Sequence, residues 1–171
     1  QINKYINVDQ NTSIKESDFL NGDNKGLVAI IFPQSHVNEI MIDKYQASFD
    51  QVYYQLTTNQ FTSNKEDEYL LENIQYYLNN KLYEKLPPIL MSDAYVIEES
   101  DVHVKRLINK QSGQFHVATN DHYMKSMEKQ FLLLESLFDE RDERLESLFE
   151  QALHSLKQVS EICTYRINTS K

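Results

Sequence analysis

Residues 120–162 run for about forty positions without a glycine or a proline. Read in heptads, the a and d places are Met124, Met127, Phe131, Leu134, Phe138, Arg141, Leu145, Leu148, Ala152, Ser155, Val159 and Ile162, and ten of these twelve are apolar. A 3-4 repeat sustained over that length predicts one long amphipathic helix with a coiled-coil-like seam. Asn120 is suited to cap it, and Asp121 falls in the first turn, where the helix dipole favours a negative charge. Such a helix spans about 60 Å, whereas a compact domain of this length is about 40 Å across. An overhanging apolar seam has two fates: a second chain covers it, or the helix folds back on itself.

The seam weakens at residues 139–144, Asp-Glu-Arg-Asp-Glu-Arg. The run holds no turn residue, so continuous helix is expected, with Glu140 and Arg144 as a favourable i,i+4 pair. Arg141 lands on a core place. There it either sets register and partner choice or snorkels to the helix rim. Beyond it, Leu145, Leu148, Phe149, Ala152, Leu153 and Leu156 form a face wider than a strict seam, the pattern of packing in a bundle.

Three glycines and three prolines in 171 residues favour helices over a many-turned β fold. Eleven tyrosines and eight phenylalanines with no tryptophan make the core aromatic-rich. A net charge of −9 argues against a general nucleic-acid binder and against an anionic membrane surface. The lone cysteine, Cys163, excludes an intramolecular disulfide and reads as a small buried hydrophobe. No signal peptide and no run of eighteen apolar residues is present. A cytoplasmic protein is expected. Because the sequence begins at Gln1, a trimmed extracytoplasmic sensor or assembly domain of a bacterial membrane protein stands as an alternative. The Asn, Lys, Ile and Tyr bias points to an AT-rich genome, such as that of a low-GC bacterium or phage.

Residues 1–25 read as a polar arm, and residues 22–26 as a turn. Six unbroken apolar residues, 27–32, lie between Gly26 and Pro33 and predict a buried strand. Ser35 is the expected cap of a helix over 36–56, with Val37, Ile40, Met41, Tyr45, Phe49, Val52, Tyr53 and Leu56 as its stripe. Ser63 and Glu66 form a capping box for a second helix reaching Leu86, where Pro87 and Pro88 stop it. Tyr69, Tyr76, Tyr77 and Tyr83 flank its apolar face, as a core rim or a binding surface. Residues 101–107 and 114–118 alternate, with Ser112 and Gly113 between them, and predict a β-hairpin. Residues 94–97 are a possible third strand beside it.

Catalytic patterns are weak. The five histidines show no i,i+3 or i,i+4 pair, and His116, Asp121 and His122 are the nearest approach to a zinc set. The acidic clusters at 66–68, 98–99 and 139–143 are explained by helix starts and solvated faces. No Gly-rich phosphate loop and no nucleophile elbow occurs. Residues 101–130 hold five cations against three anions, a local surplus in an acidic chain.

The expected fold is α+β and predominantly helical. It comprises a small sheet with a hairpin, two middle helices and a long C-terminal helix. Residues 1–119 form a mixed α/β part; residues 120–171 form a packing or dimerising helix without independence as a domain. The expected function is a non-catalytic protein–protein interaction module with no metal or cofactor. It would bind itself as a homodimer, or another protein, through Met124, Met127, Phe131, Leu134, Phe138, Arg141 and Leu145. A winged-helix regulator is the alternative, touching DNA through Lys105, Arg106 and Lys110 on the hairpin.

Overall fold

Gly26 turns the chain into its first strand at φ +81°, a left-handed conformation that L side chains seldom adopt. Its N–H donates to Asp50 Oδ2 at 2.7 Å, tying the start of the first strand to the start of the second. The structure is a computed structural model and describes residues 17, 20–22, 24–33, 36–57, 64–92, 94–111, 122–138 and 142–164.

Strand β1 (Val28–Ile31) leads to helix α1 (Glu39–Ser48), strand β2 (Gln51–Thr57), helix α2 (Asn64–Asn79) and strand β3 (Pro88–Met91). The three strands are parallel, in the order β1-β2-β3, with Ile31 opposite Tyr54 and Leu56 opposite Leu90. Helix α3 (Val102–Gln111), helix α4 (Met127–Glu135) and helix α5 (Arg144–Ile162) follow. The protein is predominantly helical with one small sheet and a long C-terminal helix, the α+β class expected from its sequence.

The helix expected over 36–56 is two elements. Asn38, not Ser35, is the cap, its side chain accepting from Met41 N–H at 2.9 Å. The chain becomes extended at Phe49 and enters β2. As the central strand, β2 buries Val52, Tyr53, Tyr54, Leu56 and Thr57. Burial on both faces removes the alternation that marks a half-buried strand. The second expected helix also stops early, at Asn79. Lys81 turns left-handed (φ 52°), a 3-10 turn spans Leu82–Glu84, and Leu86 plugs the core. Pro88 stops no helix; it opens edge strand β3, a place where its missing N–H costs nothing.

Tyr77 of α2 lies inside the core rather than on the rim. Its ring stacks on Tyr54 with centroids 4.1 Å apart, and its hydroxyl donates to Leu86 O at 2.5 Å. Burial raises both phenol pKa values well above the ordinary tyrosine range. The Tyr54 hydroxyl is buried without a hydrogen-bond partner among the described residues.

The long helix expected over 120–162 is broken. Helix α4 starts at the Ser126 cap, which accepts from Lys129 N–H at 3.2 Å, and ends at Ser136. Asp142 then starts α5. Its carboxylate accepts from Arg144 N–H at 2.9 Å and from the Arg144 guanidinium at 2.7 Å. The N-cap residue, Glu143, makes no side-chain cap bond, and the Asp142 carboxylate before it meets the first-turn N–H instead. Phe131 of α4 meets Phe149 of α5 edge-on at 5.2 Å, so the chain takes the fold-back route. Helix α5 runs against β3, and its Leu145, Leu148, Phe149 and Ala152 share one core with Ile42, Leu56 and Leu90. The two parts expected at 1–119 and 120–171 therefore contribute to a common interior.

The hairpin expected at 101–118 is contradicted where it is described: Val102–Gln111 is helix α3. Val104, Leu107 and Ile108 stand at i, i+3 and i+4, a helical spacing that prevailed over the short alternation before it. The second arm, 114–118, and the tip at Ser112 and Gly113 lie outside the described residues. Residues 94–97 form no strand: the chain bends at Tyr95 and Ile97, and Val96 makes an isolated parallel bridge with Tyr123. No helix among the described residues is long and apolar enough to cross a membrane.

Candidate interaction surface

Residues 95–97, helix α3 and residues 122–127 form one side of the molecule. Tyr95 N–H donates to His122 O at 3.0 Å, and Met124 N–H donates to Val96 O at 3.1 Å. The Tyr95 and His122 rings stack at 5.1 Å. Lys105 of α3 holds its Nζ 5.3 Å from the centre of the Tyr95 ring, joining the helix to this short ladder. Lys125 is buried and lies over Tyr123 at 4.9 Å.

Helix α3 is inverted relative to an ordinary surface helix. At 100° per residue, Val102 and Asn109 share a side, and both are buried. Val104, Leu107 and Ile108 share the opposite side and are 44%, 59% and 53% exposed. His103 and Lys110 border that stripe on one flank and Lys105 on the other. The helix carries Lys105, Arg106 and Lys110 and no carboxylate. Nearby, Ile97 and Met124 are 69% and 66% exposed. Five exposed aliphatic side chains thus gather in this region of the described residues.

The seven residues expected to form the intermolecular seam part company. Met124 and Met127 are exposed. Phe131 and Phe138 pack half-buried against the core. Leu134 and Leu145 are fully enclosed in it. Arg141 lies outside the described residues. Lys105, Arg106 and Lys110 are all on α3, so the DNA-touching wing expected to carry them is a helix instead. Sequence reasoning missed Ile97, Val104, Leu107 and Ile108. The 104-107-108 spacing was the available signal.

Other places offer less. The carboxyl ends of parallel strands commonly receive ligands. Here Asn73 donates to Pro33 O at 2.7 Å at the end of β1, and His36 just beyond it stacks flat on Tyr76 at 4.5 Å. A shallow groove of about 350 Å³ runs between Pro87 and α5, lined by Ser147, Glu150, Gln151, His154, Ser155 and Gln158. Gln151 Nε2 already donates to Ser147 Oγ there at 3.3 Å. Among the described residues, no three His, Cys, Asp or Glu side chains gather as a metal site. His116 and Asp121 of the zinc set considered above lie outside the described residues. Cys163 is exposed at the end of α5 rather than buried.

No protein-family model, curated protein or solved structure matches this chain.

Proposed function

We propose that this protein is a non-catalytic interaction module that binds another protein through the face formed by α3, residues 95–97 and residues 122–127. The observation that carries the reading is the outward aliphatic stripe Val104, Leu107 and Ile108. A ten-residue helix that buries only Val102 and Asn109 leaves the apolar area of Val104, Leu107 and Ile108 in water, which a partner recovers by covering it. Met124 and Met127, expected at the contact from sequence, belong to this face; the buried Leu134 and Leu145 hold the module together. A cytoplasmic setting fits an exposed, unpaired Cys163, since thiols persist in reducing compartments.

A homodimer through this face is disfavoured. A two-fold contact sets the same patch against itself, and Lys105 and Lys110 would meet their own copies. Sedimentation equilibrium over a hundredfold concentration range is therefore expected to give the 20.2 kDa monomer mass throughout. A photoreactive residue at position 107 should then trap one discrete adduct in the cells that make the protein. The same group at Ile40, exposed on α1 but outside this face, should trap none. A mass near twice the monomer, or equal trapping at both positions, would sink the proposal.

A further inference from the structure

We infer that the partner segment is an acidic amphipathic helix, seated along α3 with its carboxylates against the cations that border the aliphatic stripe. The inference rests on the interaction reading above and adds the chemistry of the occupant.

Three features support it. The stripe has the i, i+3, i+4 spacing of a helix-packing ridge, and α3 is about 15 Å long, which matches two to three turns of a partner helix. Lys110 flanks the stripe on one side and Lys105 on the other, with no carboxylate on α3; Glu98, Glu99 and Asp101 lie at its N-terminal end, away from Lys110. Lys105 is already posed over the Tyr95 ring, so less side-chain freedom is lost when an anion meets it. In paired helices, charges beside an apolar seam select the partner.

The third feature is the contrast with the rest of the chain. Residues 101–130 hold five cations and three anions, a surplus of two in a chain of −9, which leaves −11 elsewhere. An acidic helix is repelled by most of an acidic chain and meets cations at Lys105 and Lys110 beside the stripe. A basic helix would be drawn to the opposite places. A second copy brings like charges to the stripe. An anionic lipid surface would have to tolerate the −11 remainder close by.

The test uses the full chain and two synthetic helical peptides with the same leucine stripe, one flanked by glutamates and one by lysines. Fluorescence anisotropy at low salt should show the glutamate peptide binding about tenfold tighter, the effect of two or three rim charge pairs. Lys105→Glu with Lys110→Glu should erase or invert that preference. Leu107→Glu with Ile108→Glu should abolish binding. Leu107→Gln with Ile108→Gln serves as the milder pair if circular dichroism shows the first to be misfolded. Equal binding of both peptides, lost in the Leu107 and Ile108 variants, overturns the acidic preference and leaves the contact face standing. Binding of neither peptide overturns both readings. Binding to phosphatidylcholine vesicles containing phosphatidylglycerol, with neither peptide bound, overturns the proposal in favour of a lipid surface.

Discussion

Helices α3 and α5 are both amphipathic, and the chain treats them oppositely. Helix α5 gives its apolar face to the core, where Leu145 and Leu148 are almost fully enclosed. Helix α3 buries Val102 and Asn109 and shows Leu107 and Ile108 to water. Periodicity states that a helix has two unlike faces. It does not state which face the fold will take. That choice depends on what lies alongside: α5 has β3 and the apolar side of the sheet, whereas α3 meets the Tyr95 ring through Lys105.

The contrast is most exposed to failure at one pair of substitutions. Leu148→Asp places a carboxylate in the core and should cost about 3–5 kcal/mol, enough to abolish cooperative urea unfolding in a marginal domain. Leu107→Asp should change stability by less than about 0.5 kcal/mol. Similar losses at both positions would mean that α3 is buried in solution.

Two tyrosines sharpen the core side of the comparison. Tyr77→Phe removes the donor to Leu86 O and should cost about 1–2 kcal/mol in denaturant titrations. Tyr54→Phe should be neutral or slightly stabilising, because its hydroxyl gives up a buried, unpartnered position. A reversed order would show that the Tyr54 hydroxyl holds a bond the protein depends on.

Alkaline titration addresses the same interior. Both phenols have pKa values raised in the folded state by burial. Their contribution is therefore complete below the unfolded tyrosine value near 10 and is lost as pH climbs toward the folded values. Phenolate absorbance should show Tyr54 and Tyr77, at least, among the eleven tyrosines ionising only when the fold opens; in the Leu107 variants that behaviour should not change. Ionisation of all eleven near pH 10 with the circular dichroism intact would contradict the buried pair.

The smallest effect concerns the start of α5. The hydrogen bond from Arg144 lowers the Asp142 pKa below its ordinary 3.8. Its contribution is present above that value and disappears as pH falls through the lowered one. Asp142→Asn should flatten a shallow loss of stability below about pH 4, worth under about 1 kcal/mol given the exposure of Arg144. An unchanged acid profile would assign the break in the helix to packing alone.

These elements also show what could be read in advance. Strand β1 was legible because Gly26 and Pro33 bracket an unbroken apolar run. The apolar face of α5 was legible because Leu145, Leu148, Phe149 and Ala152 repeat at helical spacing. The break before it was not, since Asp142 meets the first-turn N–H with a charged side chain that also suits a solvated helix. Strand β2 was hidden because Val52, Tyr53 and Leu56 continue the stripe that α1 begins at Ile40 and Met41. Of the contact face, Met124 and Met127 could be found from heptads. Leu107 and Ile108 have a helical spacing with Val104, but Val102-His103-Val104 imitates a strand at the place where the helix starts and masks it.

The position of α5 against β3 has a consequence for synthesis. The sheet is complete once Met91 is made, but its covering helix begins some fifty residues later, at Arg144. At cellular elongation rates the ribosome takes roughly 3 to 10 s to make that interval. Throughout it, β3 lacks the helix that covers it in the folded protein. Codon choice and chaperone occupancy over residues 92–143 will therefore govern the yield of native protein more strongly than the same changes after residue 162.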